Sequence, residues 1–582
     1  MAGIFLVRAN GSPFSDAALA EARQQFALHG FAGGGEAQLP GWHLLHRPFV
    51  HGGPETFLAR GDDMVAVAGT LVVDGLMGRA ALEALLDHAT PPGLDWSRIG
   101  GQFVALLRKG GRTFLFTDYF AAFQLFHDTE RRVFSTSLLA TAKSLPRLAF
   151  DPQGVYEFAF NVVPIGDDTV FADLKTLSPR QMVELTVDGV VLHSIAKPLP
   201  AAVSRESVEE RLPHHVERLQ SIVGAHVRQF GNRVNCPLSG GLDSRLLLAS
   251  LRAAGCTPYV YVYGDPGDAD VDVALAIGAA EGFAVDYVDK GRPAPSPEDF
   301  PALVESNFHD LDALPTYGNI FDEGGYGDAR QARHANGALA ASGGCGEIFR
   351  DFFFLADRPA SPLAVAKTFF ARFAPGDATG AFDPRYFLTR IGDKIAEAID
   401  APSRTATVPR ALIEQVYPRV RCRALFGREI GVEARLGAYL MPFLDHQLVA
   451  EAMTLPMRLK HAGRFEAMLL NAIDPALARH MSAYGHDFAG PPSRRHLFDE
   501  WSSRIRPSWL RARTYAIRRR LGPIGDEHGG LLEPDYMRRV IDLEFPAMRR
   551  FFNIDAITDS GMWRRIACLE YLAAHLGSRM VG

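Results

Sequence analysis

Between Asn232 and Cys256 the chain reads NRVNCPLSGGLDSRLLLASLRAAGC. A short apolar run halts at Ser239-Gly240-Gly241-Leu242-Asp243-Ser244, and an apolar pattern of helical spacing resumes from Arg245. RVNCPL is short enough for one buried strand, and DSRLLLASLRAAG has the period of a helix. The turn between them leaves room only for a strand that passes straight into a helix. TPYVYVYG then reads as a second strand and DVDVALAIGAAEGF, from Asp270, as a second helix. This alternation predicts a doubly wound parallel sheet.

In such a unit the turn lies at the carboxyl end of a strand, where the backbone N–H groups of the helix start lack partners and attract anions. Glycines let a phosphate approach the backbone, and the serine hydroxyls can donate as well. Asp243 is the exception, because a carboxylate beside a phosphate repels it. A Mg²⁺ ion held by Asp243 would remove that conflict; a plain helix cap is the other reading of this residue. The pattern is not the Gly-x-x-x-x-Gly-Lys-Ser/Thr loop.

The rest of the chain sets this unit in context. At 582 residues it exceeds one ordinary core, so at least two domains are expected. A net charge of −6 gives no global reason to expect nucleic acid. Five scattered cysteines without metal-ligand spacing argue against a disulfide framework or zinc site and suit a cytoplasmic protein. No apolar stretch approaches the roughly 20 residues that span a bilayer, and the N-terminus lacks the pattern of a signal peptide. Residues 1–198 are rich in short β-like runs such as GIFLVRA, DMVAVAGTLVVDG and RRVFSTSLLA, with RAALEALLDHA helical among them. The segment AKPLPAAVSRESVEE ends that half, with a Ser-x-x-Glu helix start at Ser207. Residues 199–582 carry the α/β unit, and from about Leu355 they read as mainly helical.

Ser-Gly-Gly-Leu-Asp-Ser after an apolar strand resembles the pyrophosphate loop of the N-type ATP pyrophosphatases. A β-rich half preceding it, the runs VAVAGTLVVDG and IGGQFVALLRKGGRTFLFTDYF, and Pro442-Phe443-Leu444-Asp445 make the whole chain similar to the class B asparagine synthetase superfamily. That resemblance implies an α+β sandwich of the Ntn-hydrolase type at 1–198 and an ATP-pyrophosphatase synthetase domain at 199–582. It implies ATP and Mg²⁺ as cofactors. Leu238, Ser239, Gly240, Gly241 and Ser244 would lie about the nucleotide's phosphates, with Val262, Tyr263 and Gly264 beside the adenine and Ser342 and Gly343 at the AMP portion. Asp243 and Glu347 would be metal ligands, with Glu347 alternatively a general base. Lys460, Arg464 and Arg350 are candidates to neutralise pyrophosphate.

The departures narrow the resemblance. Ala2 stands where the amidotransferases have a nucleophilic Cys, and Ala68 and Thr70 replace the Asn and Glu that serve glutamine, so glutamine hydrolysis is not expected. Gly346 replaces a metal-binding Asp, Ser342-Gly343 is displaced by one position, and Glu466 stands where the synthetases have a Lys. GGCGEIFRDFF and SAYGHDF are similar to the lasso-peptide macrocyclases. The expected activity is then adenylation of an Asp or Glu side chain of a precursor peptide and closure of an isopeptide ring on its N-terminal amine. A leader-cleaving protease is the expected partner, with neither nucleic acid nor a membrane span. A small-molecule ligase of the asparagine or β-lactam synthetase kind and an inactive scaffold are the alternatives. The arginine-rich stretch from Trp501 reads as a solvated helix face or a surface for an acidic partner.

Overall fold

The computed structural model describes residues 3–581 other than 10–12, 292, 323–324, 375 and 522–529; Ala2 therefore lies outside the described residues. Twelve strands of the first half build two antiparallel sheets. In chain order these are β1 (Gly3–Arg8), β2 (Gly35–Leu39), β3 (Trp42–Arg47), β4 (Phe57–Arg60), β5 (Asp63–Val73), β6 (Ile99–Lys109), β7 (Arg112–Thr117), β8 (Phe126–Asp128), β9 (Val133–Ser135), β10 (Leu174–Thr176), β11 (Gln181–Thr186) and β12 (Gly189–Ser194). One sheet has the order β10-β8-β9-β1-β3-β2, the other β12-β11-β7-β6-β5-β4.

Alternation along β5 explains how they stack. Met64, Ala66 and Ala68 join the core shared with the first sheet, while Val65 and Val67 turn to the opposite face. There they meet Leu82, Leu85 and Leu86 of the helix Gly78–His88. The helix Pro13–Leu28 packs on the outer side of the first sheet, leaving β1 covered on both faces. This is why GIFLV is an unbroken apolar run. RRVFSTSLLA is only partly strand. Ser137 caps the helix Leu138–Ser144 by accepting from Ala140 N–H, so the second half of that run turns helical.

After Ile195 the chain crosses to the helix Val208–Phe230. Its start carries the expected reciprocal cap between Ser207 and Glu210. Then follow β13 (Val234–Pro237), β14 (Tyr259–Gly264), β15 (Val285–Asp289), β16 (Leu339–Ala341) and β17 (Tyr439–Leu440), all parallel, in the order β15-β14-β13-β16-β17. Two crossover helices define one face: α1 (Leu242–Ala253) after β13 and α2 (Ala269–Glu281) after β14. The remainder is mainly helical, as expected, apart from β17, whose two residues are too few for a strand pattern to show.

The two halves share one hydrophobic core, which runs from Ile4 to Leu576. An aromatic knot ties the helix Pro152–Asn161 to the C-terminal part. Tyr156 lies 4.6 Å from Phe382, and Phe160 lies 5.9 Å from Phe552, centroid to centroid.

Candidate active site

Strand order reverses at β13, with β14 and β15 on one side and β16 and β17 on the other. At such a switch point the loops leaving neighbouring strands diverge and open a crevice at their carboxyl ends. The loops after β13 and β16 flank this one, and they hold Ser239–Ser244 and Ser342–Arg350.

The first loop is closed on itself. Leu238 N–H donates to Tyr261 O (2.8 Å), Ser239 N–H to Ser244 Oγ (3.0 Å) and Gly241 N–H to Ser239 Oγ (3.2 Å). Gly240 N–H donates to Asp270 Oδ1 (2.9 Å), and its carbonyl accepts from Ala483 N–H (3.1 Å). A Cβ on Gly240 would stand 2.7 Å from the Ala483 methyl, so this position is closed to larger residues. Gly241 caps α1 without a side chain, so no side-chain acceptor meets the N–H groups of the first turn. The helix start thus keeps its affinity for an anion, and Asp270 shows a carboxylate already seated on one donor of the loop.

The second loop presses against the first turn of α1. A Cβ on Gly343 would lie 3.0 Å from Ser244 N, and one on Gly346 would overlap Asp243 Oδ1. Ser342 holds the loop by donating its N–H to Leu440 O (2.9 Å) and accepting from Gly344 N–H (3.1 Å). Cys345, buried with φ 71°, turns the chain so that Gly346 and Glu347 follow.

A charge cluster fills the space between the loops. Arg350 donates one guanidinium N–H to Asp243 and its Nε–H to Glu466 Oε2 (2.7 Å). Glu466, fully buried, has its carboxyl pushed well above the usual range by burial and then by Asp243, against the pull of Arg350. One guanidinium thus serves two carboxyl groups, of which the second is the harder to ionise. Arg350 is held firmly protonated, the charges of Asp243 and Glu466 outweighing its burial. The Tyr484 phenol, raised by burial, lies in the field of the same cluster. Glu347 accepts from the Tyr417 hydroxyl, which comes from a π-helical segment, Tyr417–Phe426.

Other expected site residues fall elsewhere. Lys460 is fully buried in an ion pair with Glu414 (3.0 Å), alongside Arg410 and Asp351. None of its described contacts is with Asp243 or Glu347. Of the basic candidates, Arg350 is the one that reaches Asp243. Tyr263 carries the Lys290 ammonium 5.2 Å from its ring centre, and Val262 is buried on the opposite face of β14. Gly264 is closed by Val271 and Asp268, since a Cβ there would lie 2.6 Å from Val271 Cγ2. Thr70 accepts from Tyr439 N–H (2.9 Å) and joins the first half to β17.

The expected Mg²⁺ ligands do not form a metal site as they stand. Asp243 is taken by a guanidinium, Gly346 offers no side chain, and no three acidic, His or Cys groups that could hold a metal converge among the described residues. Positive charge beside Asp243 comes from Arg350 instead. Sequence reasoning passed over Asp270 and Tyr484. Asp270 was legible in part, since an acidic first turn after β14 must open on the same side of the sheet as the loop after β13. Tyr484 lies inside SAYGHDF, a stretch that carried the resemblance, but it was not named as a site residue because it reaches the loop after β13 from far along the chain.

No family model matches the chain, and no curated protein matches it. Among solved structures it is similar to the glutamine phosphoribosylpyrophosphate amidotransferase of B. subtilis complexed with ADP and GMP. The identity is 10%, with 50% of this chain and 67% of that one covered and a TM-score of 0.22. A structure described as the allosteric regulatory enzyme of purine biosynthesis gives 10% identity, the same coverage and a TM-score of 0.24. Likenesses of this degree carry no functional argument. Among the described residues no helix is long and apolar enough to cross a membrane.

Proposed function

We propose that the chain is an ATP-dependent, AMP-forming carbon–nitrogen ligase that closes an isopeptide ring in a precursor peptide. The supporting observation is an uncapped helix start at a strand-order switch point, facing a guanidinium that two carboxylates hold in place. In this reading residues 1–198 are an Ntn-type sandwich retained as a scaffold, and residues 199–582 are an ATP-pyrophosphatase synthetase domain.

The reaction needs an Asp or Glu side chain of the peptide to attack the α-phosphorus of ATP, with pyrophosphate leaving. The peptide's N-terminal amine then displaces AMP. The first-turn N–H groups of α1 hold phosphate oxygens, and Arg350 neutralises the charge that develops there. Asp243 and Glu466 fix the orientation of Arg350. Glu347, with one oxygen engaged by Tyr417, takes the proton that the attacking ammonium must lose. No step is assigned to Mg²⁺. A protease that frees the N-terminal amine is the partner this chemistry requires.

The test is mass spectrometry of ATP products with a leaderless peptide bearing a free N-terminal amine. AMP, pyrophosphate and a peptide lighter by one water, all abolished in Asp243→Ala, are the expected outcome. AMP formed only with a small amino acid would replace this reading with a small-molecule ligase. No ATP cleavage with any substrate would leave a scaffold.

A further inference from the structure

Parallel sheets with helices on both faces present continuous apolar strands. The strand β14 departs from this rule: in YVYVYG the valines turn to one face and Tyr259, Tyr261 and Tyr263 to the other. Val260 and Val262 are buried on the side of α1 and α2, whereas Tyr259 is 52% exposed. Register extends the tyrosine face across the sheet, because Asn235 pairs with Tyr259, Asp286 with Tyr261 and Val288 with Tyr263. The helix Gly325–His334 forms the opposite wall with Asp328 and Arg333, and a groove of about 690 Å³ lies between.

Three carboxylates face two arginines in this groove, and one of the arginines is already paired. Asp286, Asp289 and Asp328 line it against Arg233 and Arg333, and Arg333 is neutralised by Glu433 at 3.0 Å. Its aromatic faces already hold cations of the chain itself: Lys290 at 5.2 Å from the Tyr263 ring and Arg333 at 6.0 Å from that of Tyr261. Tyr259 has no such partner among the described contacts, and its hydroxyl is bonded to Asp286. The groove ends at Tyr263 and Asp289, at the carboxyl edge of the sheet, beside the loop after β13. From Tyr259 to Tyr263 is about 13 Å, the length of four extended residues.

We infer that this groove binds a positively charged stretch of peptide, which it leads along the tyrosine face toward the crevice at the strand ends. The inference deepens the peptide-ligase reading and rests on it for the identity of the peptide, namely a cationic part of the precursor.

The test is fluorescence anisotropy with fluorescein-labelled pentaarginine, and pentaglutamate as its counterpart, at fixed ionic strength. Wild type is expected to bind pentaarginine and not pentaglutamate. Asp286→Lys should weaken binding at least tenfold, and Tyr259→Ala at least threefold, with unchanged circular dichroism. Asp289→Lys, at the other end of the groove, gives the same result should Asp286→Lys fail to fold. Unchanged affinity in the lysine variants, equal binding of pentaglutamate, or displacement of the probe by adenosine would overturn the inference. Binding needs neither ATP nor ring closure. A chain that binds the probe but cleaves no ATP keeps the groove and loses the ligase reading, and the reverse result does the opposite.

Discussion

At the scale of single residues, the arrangement of Arg350 between Asp243 and Glu466 carries the most consequence. Glu466 stands where the resemblance in sequence leads one to expect a lysine, so taken alone it reverses the expected charge. Arg350 restores it from another loop. Because the folded chain raises the Glu466 carboxyl above its ordinary 4.5, the native state keeps a proton that the unfolded chain releases. Its contribution to stability is therefore complete below pH 4.5 and is lost as pH rises through the folded value. Glu466→Gln, always neutral, removes that dependence. Urea denaturation at pH 5, 6.5 and 8 should show the variant gaining on wild type as pH rises; a constant difference would mean that Glu466 is ionised beside Arg350. Arg350→Met leaves two carboxylates facing each other without a cation. It should lower AMP formation by roughly 10²–10³, as loss of one preorganised charge-stabilising group does elsewhere.

At the scale of elements, two short segments separate stability from activity. Gly346 lies directly against the Asp243 carboxylate, and a methyl there would push Asp243 off Arg350. Gly346→Ala should therefore abolish AMP formation while the global unfolding midpoint changes little, because the loop lies at the end of β16 and not within it. Ser207→Ala is its opposite: it removes a reciprocal cap from the long helix that opens the second half. That should cost about 1 kcal/mol with no effect on activity. The capping box, the β13–α1 turn and the alternation of β14 were legible in the sequence because each is a local pattern a few residues long. The cluster was less so. Arg350 could be named as a candidate but not ranked above Lys460, since both are basic groups in or beside the stretches that carry the resemblance. Only packing sends one to Asp243 and the other to Glu414. Tyr417 reaches Glu347 from a π-helical segment whose longer turn leaves no distinct sequence period.

At the scale of the molecule, the halves are joined through a buried charge as well as through apolar contact. Asp312, just beyond the helix Phe300–Asp310, accepts from Ser137 Oγ (2.7 Å), Leu138 N–H (2.7 Å) and Leu139 N–H (3.0 Å) at the start of a first-half helix. Arg428, from the helix Gly427–Leu436, meets its other side at 3.4 Å. Burial alone would raise this carboxyl, but His29 and Arg428 outweigh it and hold it well below the ordinary range. Here the sign is opposite to that of Glu466: the stability is present above pH 3.8 and is lost as pH falls below that value. Asp312→Asn keeps the shape, removes the charge and sets an amide N–H₂ against backbone donors. It leaves Arg428 buried without its carboxylate and should cost about 3–5 kcal/mol at pH 7. Because one hydrophobic core runs through both halves, wild type should melt in a single calorimetric transition. In Asp312→Asn that transition should move down in temperature, and its midpoint should fall less steeply below pH 4 than that of wild type. Two separate transitions in wild type would show that each half folds on its own core, and that Asp312 joins bodies already stable apart.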